Sequence, residues 1–126
     1  MTDTLRLSVQ HPGPGLAVAT VVGDVDLHTA PVLRADALQL IEQGTPRLIF
    51  DLAQVDYFDS TGLSVLIGIW HAAQEAGGSL TLAAVPGRLS RMLSLTGVDA
   101  LLRVHTTLEE ALADLGGDAG AGVGAG

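Results

Sequence analysis

The 126-residue sequence predicts an α/β fold: a mixed, mostly parallel sheet of four to five strands with about four helices, opened by an N-terminal β-hairpin. Three observations carry this. Short alternating or apolar runs occur at Leu5–Val9, Leu16–Val22, Leu48–Leu52, Leu80–Ala84 and Leu101–Val104. From the second run onward, each is followed by a stretch with apolar residues at helical spacing. Glycine or proline punctuates the junctions between them.

In the first run, Leu5, Leu7 and Val9 alternate with Arg6 and Ser8, which is strand periodicity. The cluster His11-Pro12-Gly13-Pro14-Gly15 turns the chain into the β-branched run Leu16–Val22, closing a hairpin before a polar link over Gly23–His28. Thr29 can cap a helix that has Pro31 in its first turn and Leu33, Ala37, Leu40 and Ile41 on one face, ended by Gly44 and Pro46. Leu48–Leu52 reads as a central buried strand. A second helix runs from about Ser60 to Ala76 and stops at Gly77-Gly78. A strand at Leu80–Ala84, a short helix around Leu89, Met92 and Leu93, and a last strand at Leu101–Val104 follow. Thr107-Leu108-Glu109-Glu110 has the form of a capping box opening a helix with Leu108, Ala111, Leu112 and Leu115 on one face. The expected domain covers residues 4–115; the glycine- and alanine-rich residues 116–126 read as a flexible tail.

Composition narrows the function classes. The chain is 48% hydrophobic and 16% charged, which places it among globular proteins. It has no cysteine, so thiolate metal sites and disulfides are excluded, and a reducing cytosol suits it. All six basic residues are arginines, which removes any mechanism that needs a lysine. The net charge of −8 argues against a nucleic-acid partner; it serves solubility or attracts a basic partner. Residues 1–8 lack the pattern of a signal peptide. The longest apolar run, Leu63–Ile69, is interrupted by Ser64 and Gly68, so no membrane insertion is expected. His11, His28, His71 and His105 are scattered without metal-ligand spacing, and nothing points to a cofactor.

The segment Asp56-Tyr57-Phe58-Asp59-Ser60-Thr61-Gly62-Leu63 leaves the central strand and opens the second helix. With Ser60 at the N-cap, its hydroxyl would satisfy a free N–H of the first turn. At about 100° per residue, Ser60, Ser64, Gly68, His71 and Glu75 form one narrow polar stripe. Thr61 and Ile67 lie at its margins, and Leu63, Val65, Leu66, Ile69, Trp70 and Ala73 spread over the opposite side. Gly68 is either a neutral glycine or a place where a partner backbone comes close. An exposed hydroxyl at a helix start followed by a flat surface suits phosphorylation, which adds about −1.5 to −2 charges and three acceptor oxygens. The helix N-terminus tolerates that charge, whereas Asp59 and Asp26 oppose it.

Asp59-Ser60-Thr61-Gly62-Leu63, following Leu48-Ile49-Phe50-Asp51-Leu52, resembles the phosphorylation motif of STAS-domain anti-sigma factor antagonists. Gly23-Asp24-Val25-Asp26-Leu27-His28-Thr29-Ala30 resembles that family's second motif. Gly77-Gly78, Thr96-Gly97 and Glu109-Glu110-Ala111-Leu112 also match, so the resemblance spans about residues 4–115. It implies a STAS fold and a cytoplasmic regulator. In its unphosphorylated form the regulator binds an anti-sigma factor that is also a serine kinase, and a sigma factor is released. The kinase then phosphorylates Ser60 and binding is lost, until a serine phosphatase resets the protein. The resemblance places Asp26 beside the serine and a partner-binding face at Asp26, Asp59, Ser60, Thr61, Ser64, Ile67, Gly68 and His71. Thr61 departs from the commonest motif, which has a second serine or a similar small residue there.

Rival readings fare worse. A receiver domain would need an acidic pair after its first strand and a late lysine, both missing here. Asp-Ser-Thr-Gly is not the Gly-x-Ser-x-Gly of a hydrolase, and no histidine is implicated as its base, so no enzymatic activity is expected. Two alternatives keep the fold: a STAS accessory subunit of a membrane transporter or stress-signalling complex, and an antagonist that binds without ever being phosphorylated.

Overall fold

The computed structural model describes residues 5–121, with side chains through Leu115. The elements are β1 (Leu5–Gly13), β2 (Leu16–Val25), α1 (Ala30–Glu42), β3 (Arg47–Phe58), α2 (Ser60–Glu75), β4 (Ser79–Ala83), α3 (Gly87–Thr96), a 3₁₀ turn (Val98–Ala100), β5 (Arg103–His105) and α4 (Leu108–Ala121). This is the expected order with one short turn added. Helix α4 reaches into the stretch expected as a tail. Side chains from residue 116 on, and residues 122–126 altogether, lie outside the described residues.

The five strands lie in the order β1-β2-β3-β4-β5; β1 is antiparallel to β2 and the rest are parallel. Each parallel connection steps one strand in the same direction, and crossovers are right-handed, so α1, α2 and α3 collect on one face. Packing agrees with this. Leu33 and Ala37 of α1, Leu66 and Ile69 of α2, and Leu89 and Leu93 of α3 share a core with Ala19, Val21, Leu48, Phe50, Leu52, Leu80 and Leu82. On the other face, Ala111 and Leu115 of α4 pack on Leu16, Val18, Ile49 and Ala83. Strands buried on both faces read as near-continuous apolar runs, and Leu48–Leu52, broken only by the half-buried Asp51, is legible as central.

Several boundaries differ from the sequence expectation. β1 runs on to Gly13, past Val9 and through His11 and Pro12, which the sequence places in the turn. β2 continues to Val25 and β3 to Phe58, well past Val22 and Leu52. The pairing of β2 with β3 passes from Thr20↔Asp51 to Val22↔Gln54, then from Gly23↔Val55 to Asp24↔Tyr57; each shift inserts one extra β3 residue. These bulges break the two-residue period, so Ala53-Gln54-Val55-Asp56 does not look like strand although it is paired. The last strand is Arg103–His105, because the 3₁₀ turn takes up the preceding residues.

Helices α1 and α2 end in the same way. Gly44 (φ 96°) and Gly77 (φ 83°) take the left-handed conformation that glycine adopts without cost. The next N–H then folds back onto a helix carbonyl, Thr45 N–H to Leu40 O at 3.0 Å and Gly78 N–H to Ala73 O at 2.7 Å. Gly78 is required for a different reason: a Cβ there would run into the backbone of Pro46.

Candidate functional site

The first turn of α2 sits at the carboxyl end of β3, where one residue, Asp59, separates strand from helix. Asp59 is the N-cap. Its backbone is extended (φ −122°, ψ −171°), and its Oδ1 accepts from the N–H groups of Thr61 (3.0 Å) and Gly62 (3.2 Å). This corrects the placement of Ser60 at the cap. A carboxylate one residue earlier already takes the free N–H groups, so Ser60 becomes the first helical residue. It is exposed, and its hydroxyl hydrogen-bonds to no described residue.

The stripe on α2 faces solvent as its periodicity predicts. Ser60, Ser64, His71 and Glu75 are exposed and Gly68 is half-buried, while Leu63, Leu66, Ile69 and Ala73 are buried. Thr61 and Ile67 are half-buried at the margins. A Cβ on Gly68 would meet nothing within 4 Å, so packing inside the chain does not demand glycine there. Gly62 is the opposite case: a Cβ would lie 2.7 Å from Val25 Cγ1 and 2.9 Å from Phe58 Cζ. The helix start therefore rests directly on the ends of β2 and β3. His71 leans against Trp70, with ring centroids 4.7 Å apart.

The neighbouring loop, between β2 and α1, carries Asp26. Val25 pairs with Phe58, and the Asp59 N–H donates to Val25 O at 3.3 Å, so the Asp26 and Asp59 turns lie side by side. Asp26 Oδ1 accepts from the N–H groups of His28 (2.8 Å) and Thr29 (3.0 Å). The Thr29 N–H, followed by that of His28, holds the Asp26 carboxyl below the usual carboxylate range. Thr29 stands at the N-cap position of α1, but its side chain does not cap the helix. Its Oγ1 donates to Asp24 O (2.7 Å) and accepts from Asp26 N–H (2.9 Å), which ties the loop to the end of β2. The clamp holds Leu27 outward at 67% exposure. Leu27 and Tyr57 (46% exposed) are exposed apolar residues beside these turns that the sequence reading did not single out. The available signal was their position next to acidic turn residues.

Among the described residues no group of three or more histidines, aspartates or glutamates is arranged to hold a metal ion. No helix among them is long and apolar enough to cross a membrane. The site thus consists of a free hydroxyl on a capped helix start, a flat solvent-facing helix surface, and a rigid acidic loop beside it.

This α/β layer with its strand-to-helix serine defines a STAS domain: the family model described as STAS domain matches residues 8–111, and the chain belongs to that family. Among its relatives, the anti-sigma-B factor antagonist of Bacillus subtilis (strain 168) is 37% identical over 89 residues, covering 71% of this chain and 81% of the relative. Among solved structures, an anti-sigma factor antagonist from Mycobacterium paratuberculosis superposes with a TM-score of 0.78 at 27% identity, covering 87% of this chain and 92% of that one. A sulfate transporter family protein from Wolinella succinogenes reaches a TM-score of 0.69 at 26% identity, covering 79% and 83%.

Proposed function

We propose that this protein is an anti-sigma factor antagonist, a binding protein without catalytic activity of its own, switched by phosphorylation of Ser60. The observation that carries the reading is the exposed, unpartnered Ser60 hydroxyl at a helix start held by a different residue. The names of relatives at 37% and 27% identity support the partner class.

In the unphosphorylated state, the α2 stripe and the Asp26 loop dock on an anti-sigma factor that is a serine kinase, and a sigma factor is freed. The partner-binding face comprises Asp26, Asp59, Ser60, Thr61, Ser64, Ile67, Gly68 and His71. The kinase then transfers the γ-phosphoryl group of ATP to Ser60 Oγ. The Oγ–P bond forms as the bond to the β-phosphate oxygen breaks, ADP leaves, and the hydroxyl proton passes to a base on the kinase. The new dianion lies within one turn of Asp59 and beside the Asp26 loop, and burying it in a tight interface is expensive. Asp59 keeps the helix capped throughout, so the binding surface changes while the fold does not. A serine phosphatase hydrolyses the ester and restores binding.

The test is intact-mass spectrometry after incubation with ATP, magnesium and each anti-sigma kinase of the source genome. One phosphate mapped to Ser60 with a single kinase is expected; neither phosphate nor complex with any of them would overturn the proposal. The likeness to a sulfate transporter family protein favours a second reading, an accessory domain of a transporter assembly. A pull-down that returns a transporter ATPase and no anti-sigma kinase would select it.

A further inference from the structure

β3 outruns its neighbour. Its pairing with β4 ends at Asp51↔Ala83, while the strand itself continues to Phe58. The overhang leaves a cleft between the end of β3 and the first turns of α3, lined by apolar residues such as Val55, Phe58, Leu89 and Met92 together with Asp56 and Arg88. Ala84, held at φ 55° where a side chain is disfavoured, turns the chain from β4 toward Pro86 and Arg88.

The cleft walls are largely apolar, with one cation, Arg88, and one carboxylate, Asp56, among the lining residues. The Arg88 guanidinium reaches Asp56 O at 3.5 Å, at the outer limit of a hydrogen bond, and is exposed. The rest of that sheet edge is acidic: Asp24, Asp26, Asp56 and Asp59. The cleft is also continuous with the Ser60 face through Phe58, which lines it and on which Gly62 of α2 rests.

We propose that this cleft is the second half of the kinase-binding face. It takes an apolar side chain of the kinase against Tyr57, Phe58 and Met92, with an adjoining kinase carboxylate paired to Arg88. This rests on the anti-sigma factor antagonist reading. The argument for the occupant is charge complementarity: a partner that faces four carboxylates is basic at the Ser60 end, and only an acid fits Arg88. One reversed pair at the end of an otherwise like-signed interface fixes the orientation of docking.

The test measures association with the kinase that phosphorylates Ser60, by surface plasmon resonance, for wild type, Arg88→Glu and Met92→Gln. Arg88→Glu makes an acidic protein more acidic. If Arg88 touches nothing, long-range attraction to a basic partner strengthens and association is unchanged or faster. The proposal expects the opposite sign, a loss of about tenfold in affinity carried by faster dissociation. It also expects recovery when a kinase acid is changed to arginine, and weaker binding by Met92→Gln. Wild-type binding matched by both variants would overturn the cleft assignment and leave the antagonist reading standing. Absence of any wild-type binding would overturn both.

Discussion

The two edges of the sheet are built differently. At the amino edge, the loops are bound to one another. Arg47 Nη2 donates to Pro14 O at 2.8 Å, Arg47 N–H to Gly15 O at 3.1 Å, and Ser79 N–H to Pro46 O at 3.1 Å. Gly78 lies so close to Pro46 that no Cβ fits. At the carboxyl edge, the two turns that flank Ser60 are each closed by their own aspartate, Asp26 or Asp59, and several side chains between them are left to solvent. One edge spends its polar groups on holding the chain together; the other keeps Ser60, Leu27 and Tyr57 available. On the proposed function, recognition falls at the end of the strands opposite these cross-links.

Substitutions can break or sharpen that contrast. The largest effect on folding should come from Gly78→Val, which overpacks the amino edge against backbone that cannot move aside. A loss of about 3 kcal/mol in chemical denaturation is expected, with the affinity of the folded fraction for its partner unchanged. The largest effect on binding should come from Ser60→Glu. It should weaken the kinase complex about a hundredfold while Ser60→Ala binds like the unphosphorylated protein, both melting within a degree or two of wild type. Equal affinities would show that the carboxyl edge is not the switch. Asp59→Ala tests the carboxyl-edge residue that caps α2, and removing its cap should cost about 1 kcal/mol.

Leu27→Asn should leave stability within about 0.5 kcal/mol of wild type, as for other exposed positions, and still weaken association. The smallest effect is one of pH. Asp26 has its pKa lowered in the folded state, so its contribution is complete above the unfolded carboxylate pKa and is lost as pH falls through the folded value. Comparison of wild type with Asp26→Asn by denaturation between neutral and acid pH should show the two stabilities converging at low pH. A difference that persists unchanged there would remove the hydrogen-bonded carboxylate as its cause.

Much of the fold was legible because it is local. Gly44 and Gly77 mark helix ends by backbone conformation alone, and Leu48, Ile49, Phe50 and Leu52 are apolar because both faces of the strand are covered. The orientation of the α2 stripe followed from helical periodicity. The choice between Asp59 and Ser60 as cap was not legible, since Asp, Ser and Thr are all good caps and stand in consecutive positions. The full length of β3 was hidden by its bulges. The cleft was invisible because its walls, Tyr57 and Arg88, come from elements far apart in sequence and meet only where one strand overruns another.

The assignment of the cap to Asp59 has a practical consequence for position 60. Because the helix does not depend on the side chain there, the position behaves as a socket in which chemistry can be exchanged without rebuilding the scaffold. The chain contains no cysteine, so Ser60→Cys creates a single thiol at the centre of the proposed binding face. An environment-sensitive dye attached through it would turn the protein into an optical sensor of its own partner.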